Sequence, residues 1–204
     1  SLAGFMLPRV ERKAEERILN KLLELKGRRI IFLAPPWILA NIAKRILDKG
    51  VEVRLHEDSI ISSTGGFKGR KVIDRKELNK LLEEALGINS DRYTDLYGMT
   101  ESNSIFMECF ANHVKHIPPW IEPILLDDQL EPIEPHGKTT GRFGFIEPSA
   151  LSYPGFILTG DKVTIDWDGC DADDLNGPVI LSIERIKGLE ERGCAGALSR
   201  TFEG

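Results

Sequence analysis

A mixed α/β architecture, with a parallel βαβ layer followed by a smaller antiparallel β-rich subdomain, accounts for this sequence on three observations. The first is an apolar run, a helical stretch and an alternating run in succession over residues 30–55. Parallel strands need such a crossover, and its hand is fixed. The second is a change of texture after Val114, where Pro118, Pro119, Pro123, Pro132, Pro135, Pro148, Pro154 and Pro178 punctuate short apolar runs. Proline is excluded from helix interiors, so this half reads as short strands in a small barrel or sandwich. The third is a pair of glycine-bearing turns, Tyr97-Gly98-Met99-Thr100-Glu101 and Thr159-Gly160-Asp161, each closing an apolar run.

The elements follow in order. Pro8 to Lys26 predicts a helix, with Val10, Ala14, Ile18, Leu22 and Leu25 on one face, Pro8 in the first turn and Gly27 as the stop. Ile30 to Leu33 is a short strand bounded by Arg28-Arg29 and Pro35-Pro36. Ile38 to Lys49 is helical, with Leu39, Ile42, Ile46 and Leu47 together and Gly50 at its end. Val51 to Leu55 alternates as a second strand. Asp74 to Leu86 is a third helix, opened by an Asp74-x-x-Glu77 capping box and closed by Gly87. Tyr93 to Tyr97 is a strand that leads into the Gly98 turn. Later runs at 121–126, 143–146, 156–158 and 179–183 supply the antiparallel strands. An α/β portion over residues 3–108 and a β-rich portion with a C-terminal tail over 109–202 are expected. Ser1-Leu2 and Glu203-Gly204 read as vector-derived ends.

Composition removes several function classes. A net charge of -5 over 204 residues lacks the basic face of a nucleic-acid binder and is unhelpful at an anionic membrane. No apolar run approaches the roughly 20 residues of a membrane helix, and no signal-peptide pattern opens the chain. Cys109, Cys170 and Cys194 are odd in number and scattered, which fits reduced thiols and a cytoplasmic setting.

The turn at Tyr97–Glu101 lies where a buried strand ends, the place where open α/β sheets bind ligands. Thr100 offers a hydroxyl and Glu101 a carboxylate on adjacent residues, and Gly98 permits close backbone approach. The alternative is an ordinary turn with a solvated glutamate. Asp161 follows Phe156 to Gly160, a strand ending in a turn, where one carboxylate can accept from two ligand hydroxyls. An Asp in a Gly-Asp turn also serves purely structural ends.

The order of these two segments resembles the adenylate-forming superfamily, which activates carboxylates as acyl-AMP. Gly65-Gly66-Phe67-Lys68, Phe106-Met107-Glu108-Cys109, Ser152-Tyr153-Pro154-Gly155 and Arg192-Gly193-Cys194 resemble, within it, the acyl-protein synthetases that activate fatty acids for bacterial luminescence. The resemblance spans about Ile60 to Leu198. It implies that Tyr97 stacks on adenine, with Gly98 in its loop, that Thr100 contacts the α-phosphate and that Glu101 holds Mg2+. It also implies that Asp161 takes the ribose hydroxyls, and that Gly65 and Gly66 form a wall for the purine. ATP/AMP and Mg2+ are the cofactors it implies, with a fatty acyl carboxylate as substrate and an acyl-CoA or acyl-protein reductase as partner.

Three further residues are read against it. Arg185 in Arg185-Ile186-Lys187-Gly188 resembles the superfamily's hinge arginine, which touches the ribose. Glu184 replaces the usual glycine before it, so a solvated cationic face is the alternative. Cys194 matches the near-terminal cysteine that accepts the acyl group, where a thiolate attacks the acyl-AMP carbonyl; an inert buried cysteine is the alternative. Cys170 stands where the family often shows Cys-x-Cys-Gly, but its companion is missing, and Cys109 reads as core. His113 and His116 have no third metal ligand at a useful spacing, so zinc is not expected. His116 instead reads as lining an acyl pocket with Trp120.

The main departure concerns the phosphates. Ser62-Ser63-Thr64-Gly65-Gly66 looks like a phosphate-cradling loop but lies too close to Tyr97 for that role, and none precedes it. Expected, therefore, is the AMP-binding C-terminal portion of an acyl-activating ligase, inactive by itself. A CoA ligase, or a non-catalytic half of a split enzyme, remains open.

Overall fold

The computed structural model describes residues 2–66, 72–149, 151, 155–172 and 175–188, with side chains from residue 12 onward. The chain divides into two compact units, one running through Asp95 and one beginning at Leu96.

The first unit is built around a βαβ crossover. α1 spans Leu2–Glu24, β1 Ile31–Ala34, α2 Pro36–Asp48, β2 Ile60–Thr64 and α3 Arg75–Leu86, before β3 at Tyr93–Tyr97. β1 and β2 pair in parallel, from Ile31 opposite Ile60 to Ala34 opposite Ser63. α2 carries Leu39, Ile42, Ala43 and Ile46 at three- and four-residue steps, and these bury against Leu19 and Leu22 of α1 and Leu78, Leu82 and Leu86 of α3. Pro36 fills the first turn of α2, where its missing N–H costs nothing. Asp74 caps α3 by accepting from the Lys76 amide, and Gly87 ends it at φ 69°, in the left-handed region that favours glycine. Glu15 on α1 accepts from Asn41 at 2.8 Å and pairs with Arg45, both on α2, so the helix contact includes a half-buried ionic clamp.

Two local expectations fail here. The first helix begins at Leu2 rather than Pro8 and ends at Glu24. Val51 to Leu55 is not a strand, and the second strand of the crossover is Ile60–Thr64. The alternation at 51–55 is nonetheless real, because Val53 and Leu55 are buried. Their backbone is satisfied by isolated bonds, with Leu55 N–H donating to the Leu86 carbonyl and His56 N–H to that of Arg28. Period-two burial thus marks an extended segment without requiring a ladder.

The second unit is antiparallel. β4 (Phe106–Met107) pairs with the last two residues of β3. β5 (Lys115–His116), β6 (Glu122–Leu126), β7 (Lys138–Ile146), β8 (Phe156–Asp166) and β9 (Val179–Arg185) form a five-stranded sheet in the order β5-β9-β8-β7-β6. The proline-punctuated runs are therefore strands, as expected, but in one sheet rather than a barrel or sandwich. Its core is aromatic: Phe106, Phe143 and Phe145 are fully buried, with ring centroids 5.4–5.7 Å apart.

Candidate functional site

β8 does not turn at Gly160 and Asp161, as the sequence suggests; it runs on to Asp166, and Asp161 sits opposite Arg185 of β9. Gly160 has a different reason to be glycine. A Cβ there would lie 2.7 Å from the Arg185 guanidinium, so the bare backbone is the bed on which that group rests. From there Arg185 donates through Nη1 to Asp161 Oδ1 at 3.0 Å. The other carboxylate oxygen, Oδ2, accepts from the Tyr97 hydroxyl at 2.8 Å. The Asp161 amide donates to Thr159 Oγ1, which in turn donates to the Phe143 carbonyl.

The structure thus joins three of the residues singled out from the sequence: Tyr97, Asp161 and Arg185. The ring of Tyr97 packs on Phe106 and Phe143, at centroid distances of 5.4 and 6.2 Å. Burial, followed by the adjacent Asp161 carboxylate, pushes the Tyr97 phenol well above its ordinary range. The phenol is therefore a fixed donor at neutral pH. A carboxylate has about four acceptor positions. Tyr97 and Arg185 use one on each oxygen, which leaves further positions by count.

Thr100 and Glu101 occupy a tight turn after β3, closed by the Ser102 amide donating to the Met99 carbonyl. Thr100 is exposed, and its hydroxyl donates to Glu101 Oε2 at 3.1 Å. Gly98 is exposed beside them.

Sequence reasoning missed what anchors this turn. Glu147, at the end of β7, is 1% exposed. Its Oε2 accepts from Ser102 Oγ at 2.9 Å and the Asn103 amide at 3.1 Å, and its Oε1 from the Ser104 and Ser149 hydroxyls. Trp120 Nε1 donates to Ser104 Oγ at 2.8 Å. Burial opposes the charge on Glu147, but the hydroxyls of Ser104, Ser102 and Ser149 and the Asn103 amide together outweigh it and hold the carboxyl below its ordinary range. The available signal was Ser102-Asn103-Ser104 directly after the motif, a cluster of short donors wanting an acceptor.

Gly65 and Gly66 belong to the first unit, where they follow β2 at φ 76° and 61°, conformations that favour glycine. Ser62 to Thr64 form the end of β2 itself. Cys194 lies outside the described residues. The structure gathers Cys109, His116 and Cys170, with ligand atoms within 4.8 Å of one another. Cys109 is buried, as expected of a core residue, and the cluster pairs His116 with two cysteines rather than with His113.

The fold resembles that of adenylate-forming ligases. The long-chain-fatty-acid-CoA ligase of Archaeoglobus fulgidus superposes with a TM-score of 0.52 at 15% identity, over 77% of this chain and 34% of that one. The amide bond synthetase of Marinactinospora thermotolerans gives 0.49 at 19%, over 78% and 32%. Residues 12–203 match the acyl-protein synthetase family LuxE, and the chain belongs to it. The long-chain-fatty-acid–luciferin-component ligase of Vibrio harveyi is 29% identical over 185 residues, 88% of this chain. The chain spans about half the length of that relative, 47%. Among the described residues no helix is long and apolar enough to cross a membrane.

Proposed function

We propose that this chain carries the nucleotide-binding residues of an acyl-protein synthetase that converts a long-chain fatty acid and ATP to acyl-AMP and then to a protein thioester. One observation carries the reading most directly: the Asp161 carboxylate is held by Tyr97 and Arg185, yet retains acceptor capacity. Two adjacent ribose hydroxyls would satisfy it. The Vibrio harveyi relative supports the substrate class by its name alone.

In this reading the substrate carboxylate oxygen attacks the α-phosphorus of ATP, the bond to the bridging oxygen breaks, and pyrophosphate leaves. Thr100, exposed at the turn, donates to an α-phosphate oxygen as negative charge builds there. The donor set at Glu101 fits Mg2+, a hard cation that takes carboxylate and hydroxyl oxygens, and Thr100 Oγ1 and Glu101 Oε2 lie together. When bound, Mg2+ would neutralise phosphate charge. Glu147 keeps the turn in place through Ser102, Asn103 and Ser104. The acyl group then passes to the thiolate of Cys194 with departure of AMP, an assignment resting on the resemblance alone.

The test is made on the full-length protein with ATP and labelled fatty acid. Label should remain on protein through a bond that hydroxylamine cleaves. Cys194→Ser should abolish it while acyl-AMP formation continues. Transfer to free CoA with Cys194 irrelevant would make the protein a CoA ligase instead. Absence of both acyl-AMP and nucleotide binding would leave a non-catalytic half.

A further inference from the structure

We propose that Cys109, His116 and Cys170 bind a zinc ion that pins the connection between β8 and β9 to the turn before β5. Nothing in the acyl-transfer reading uses these three residues.

The sites are brought together by local geometry. Glu108 bridges Lys115 in antiparallel register, and the Cys109 amide donates to the Val114 carbonyl at 2.8 Å. The turn between them closes with His113 at φ 57°. In such a ladder opposed residues share a face and successive residues alternate. Glu108 and Lys115 therefore share one face, where they form an ion pair at 3.4 Å. Cys109 and His116 fall on the other face as diagonal neighbours. The third donor arrives from a separate segment. Gly169 takes φ 94°, and a Cβ there would meet the Gly177 carbonyl oxygen at 2.8 Å, so the loop can fold this tightly only with glycine before Cys170.

The donor set selects the ion. Two sulfurs and one imidazole nitrogen, with ligand atoms mutually within 4.8 Å, suit a soft-to-borderline tetrahedral cation rather than Mg2+ or Ca2+. Cys109 is buried and Cys170 half-buried, and three protein ligands leave a fourth tetrahedral position for water. Asn112 supplies a second, independent sign: its side-chain amide donates to Cys170 Sγ at 3.3 Å, an outer contact of the kind that orients a ligating thiolate. Each thiol would bind as thiolate and release its proton to solvent.

The full chain, purified under reductant, should carry about one zinc per molecule by elemental analysis. After zinc removal, cobalt titration should raise a thiolate-to-metal charge-transfer band that saturates at the same ratio. Zinc should also slow alkylation of Cys109 and Cys170. Cys109→Ser and Cys170→Ser should lose stoichiometric metal, and Asn112→Leu should weaken zinc by roughly tenfold. Should the cysteine variants fail to fold, the cobalt and alkylation arms on the unmodified chain decide the matter. Absence of the charge-transfer band, unchanged alkylation with zinc, or a Cys109–Cys170 disulfide in the reductant-purified chain would overturn the proposal. So would full metal content in both serine variants.

Discussion

Asp161 and Glu147 are carboxylates of the same unit, each engaged by groups far away in sequence, and under the proposed function the contrast between them separates a binding group from a scaffold. Among the described residues Glu147 receives four donors, from Ser102, Asn103, Ser104 and Ser149, and is 1% exposed. Its acceptor positions are filled by the protein. Asp161 receives side-chain donors from Tyr97 and Arg185, and its side chain is 15% exposed. One carboxylate is finished; under the proposed function the other keeps acceptor positions for ligand hydroxyls. Burial alone would have ranked Glu147 as the more interesting residue; counting filled acceptor positions reverses that.

The comparison breaks most visibly if the two residues fail in the same way. Asp161→Ala in the full-length protein should lower kcat/KM for ATP by about 10²–10³-fold, since hydrogen bonds to a charged acceptor are the strong ones. Its denaturation midpoint should stay near that of the unmodified protein. ATP–pyrophosphate exchange and chemical denaturation on the same preparations measure both. Glu147→Ala should do the reverse at first order. Leaving the Asn103 amide and three serine hydroxyls without their acceptor should cost about 2–4 kcal/mol of stability. If Asp161→Ala unfolds the protein while Glu147→Ala merely slows it, the roles assigned here are exchanged.

Acid provides a sharper test of Glu147. Its carboxyl is held below the ordinary value, so the folded state binds this proton less readily than the unfolded chain. The stability it contributes is complete above the unfolded carboxylate value, about 4.3, and is lost as pH falls through the lower folded value. Glu147→Gln should therefore be least stable relative to the parent at neutral pH, with the gap closing below about pH 4. A gap that is constant across an acid titration would show that Glu147 acts through packing rather than charge.

How much of this was legible depended on sequence distance. α2, α3 and β3 could be read because their signals are local: Pro36, the Asp74 cap, Gly87, and Leu39, Ile42 and Ile46 at helical spacing. Val51 to Leu55 misled because alternation reports burial, not pairing. Asp161 was found only through its motif, and the turn assigned to it was wrong; what Gly160 accommodates is an arginine arriving from another strand. Glu147 carries little local mark, since of its donors only Ser149 is near in sequence and Ser102, Asn103 and Ser104 lie 43 to 45 residues away. The Cys109, His116 and Cys170 cluster was missed for the same reason, the third donor coming from a different hairpin.

A smaller effect separates the two arms that hold Asp161. Tyr97→Phe removes a neutral hydrogen bond worth about 1 kcal/mol net, so the KM for ATP should rise about fivefold. The half-buried ring remains packed on Phe106 and Phe143, and kcat should change less than KM. A larger loss in kcat than in KM would place the phenol at the reacting atoms rather than behind Asp161.

The finest test uses a residue that touches no ligand in this reading. Gly160→Ala puts a Cβ 2.7 Å from the Arg185 guanidinium, which must then move. The obstacle is the end of a flexible side chain rather than backbone, so the strand should survive. Replacing glycine also restricts the unfolded chain, which favours folding by about 0.4–1 kcal/mol. Stability should hence be unchanged or slightly raised, while the Arg185–Asp161 bond is lost. The variant should copy Arg185→Ala in its KM for ATP, a rise of several-fold, and the double variant Gly160→Ala/Arg185→Ala should be no worse than either single one. Additive losses would mean that Gly160 acts by some route other than seating Arg185. A Gly160→Ala protein with an unaltered KM would show that Arg185 does not need its present seat to serve Asp161.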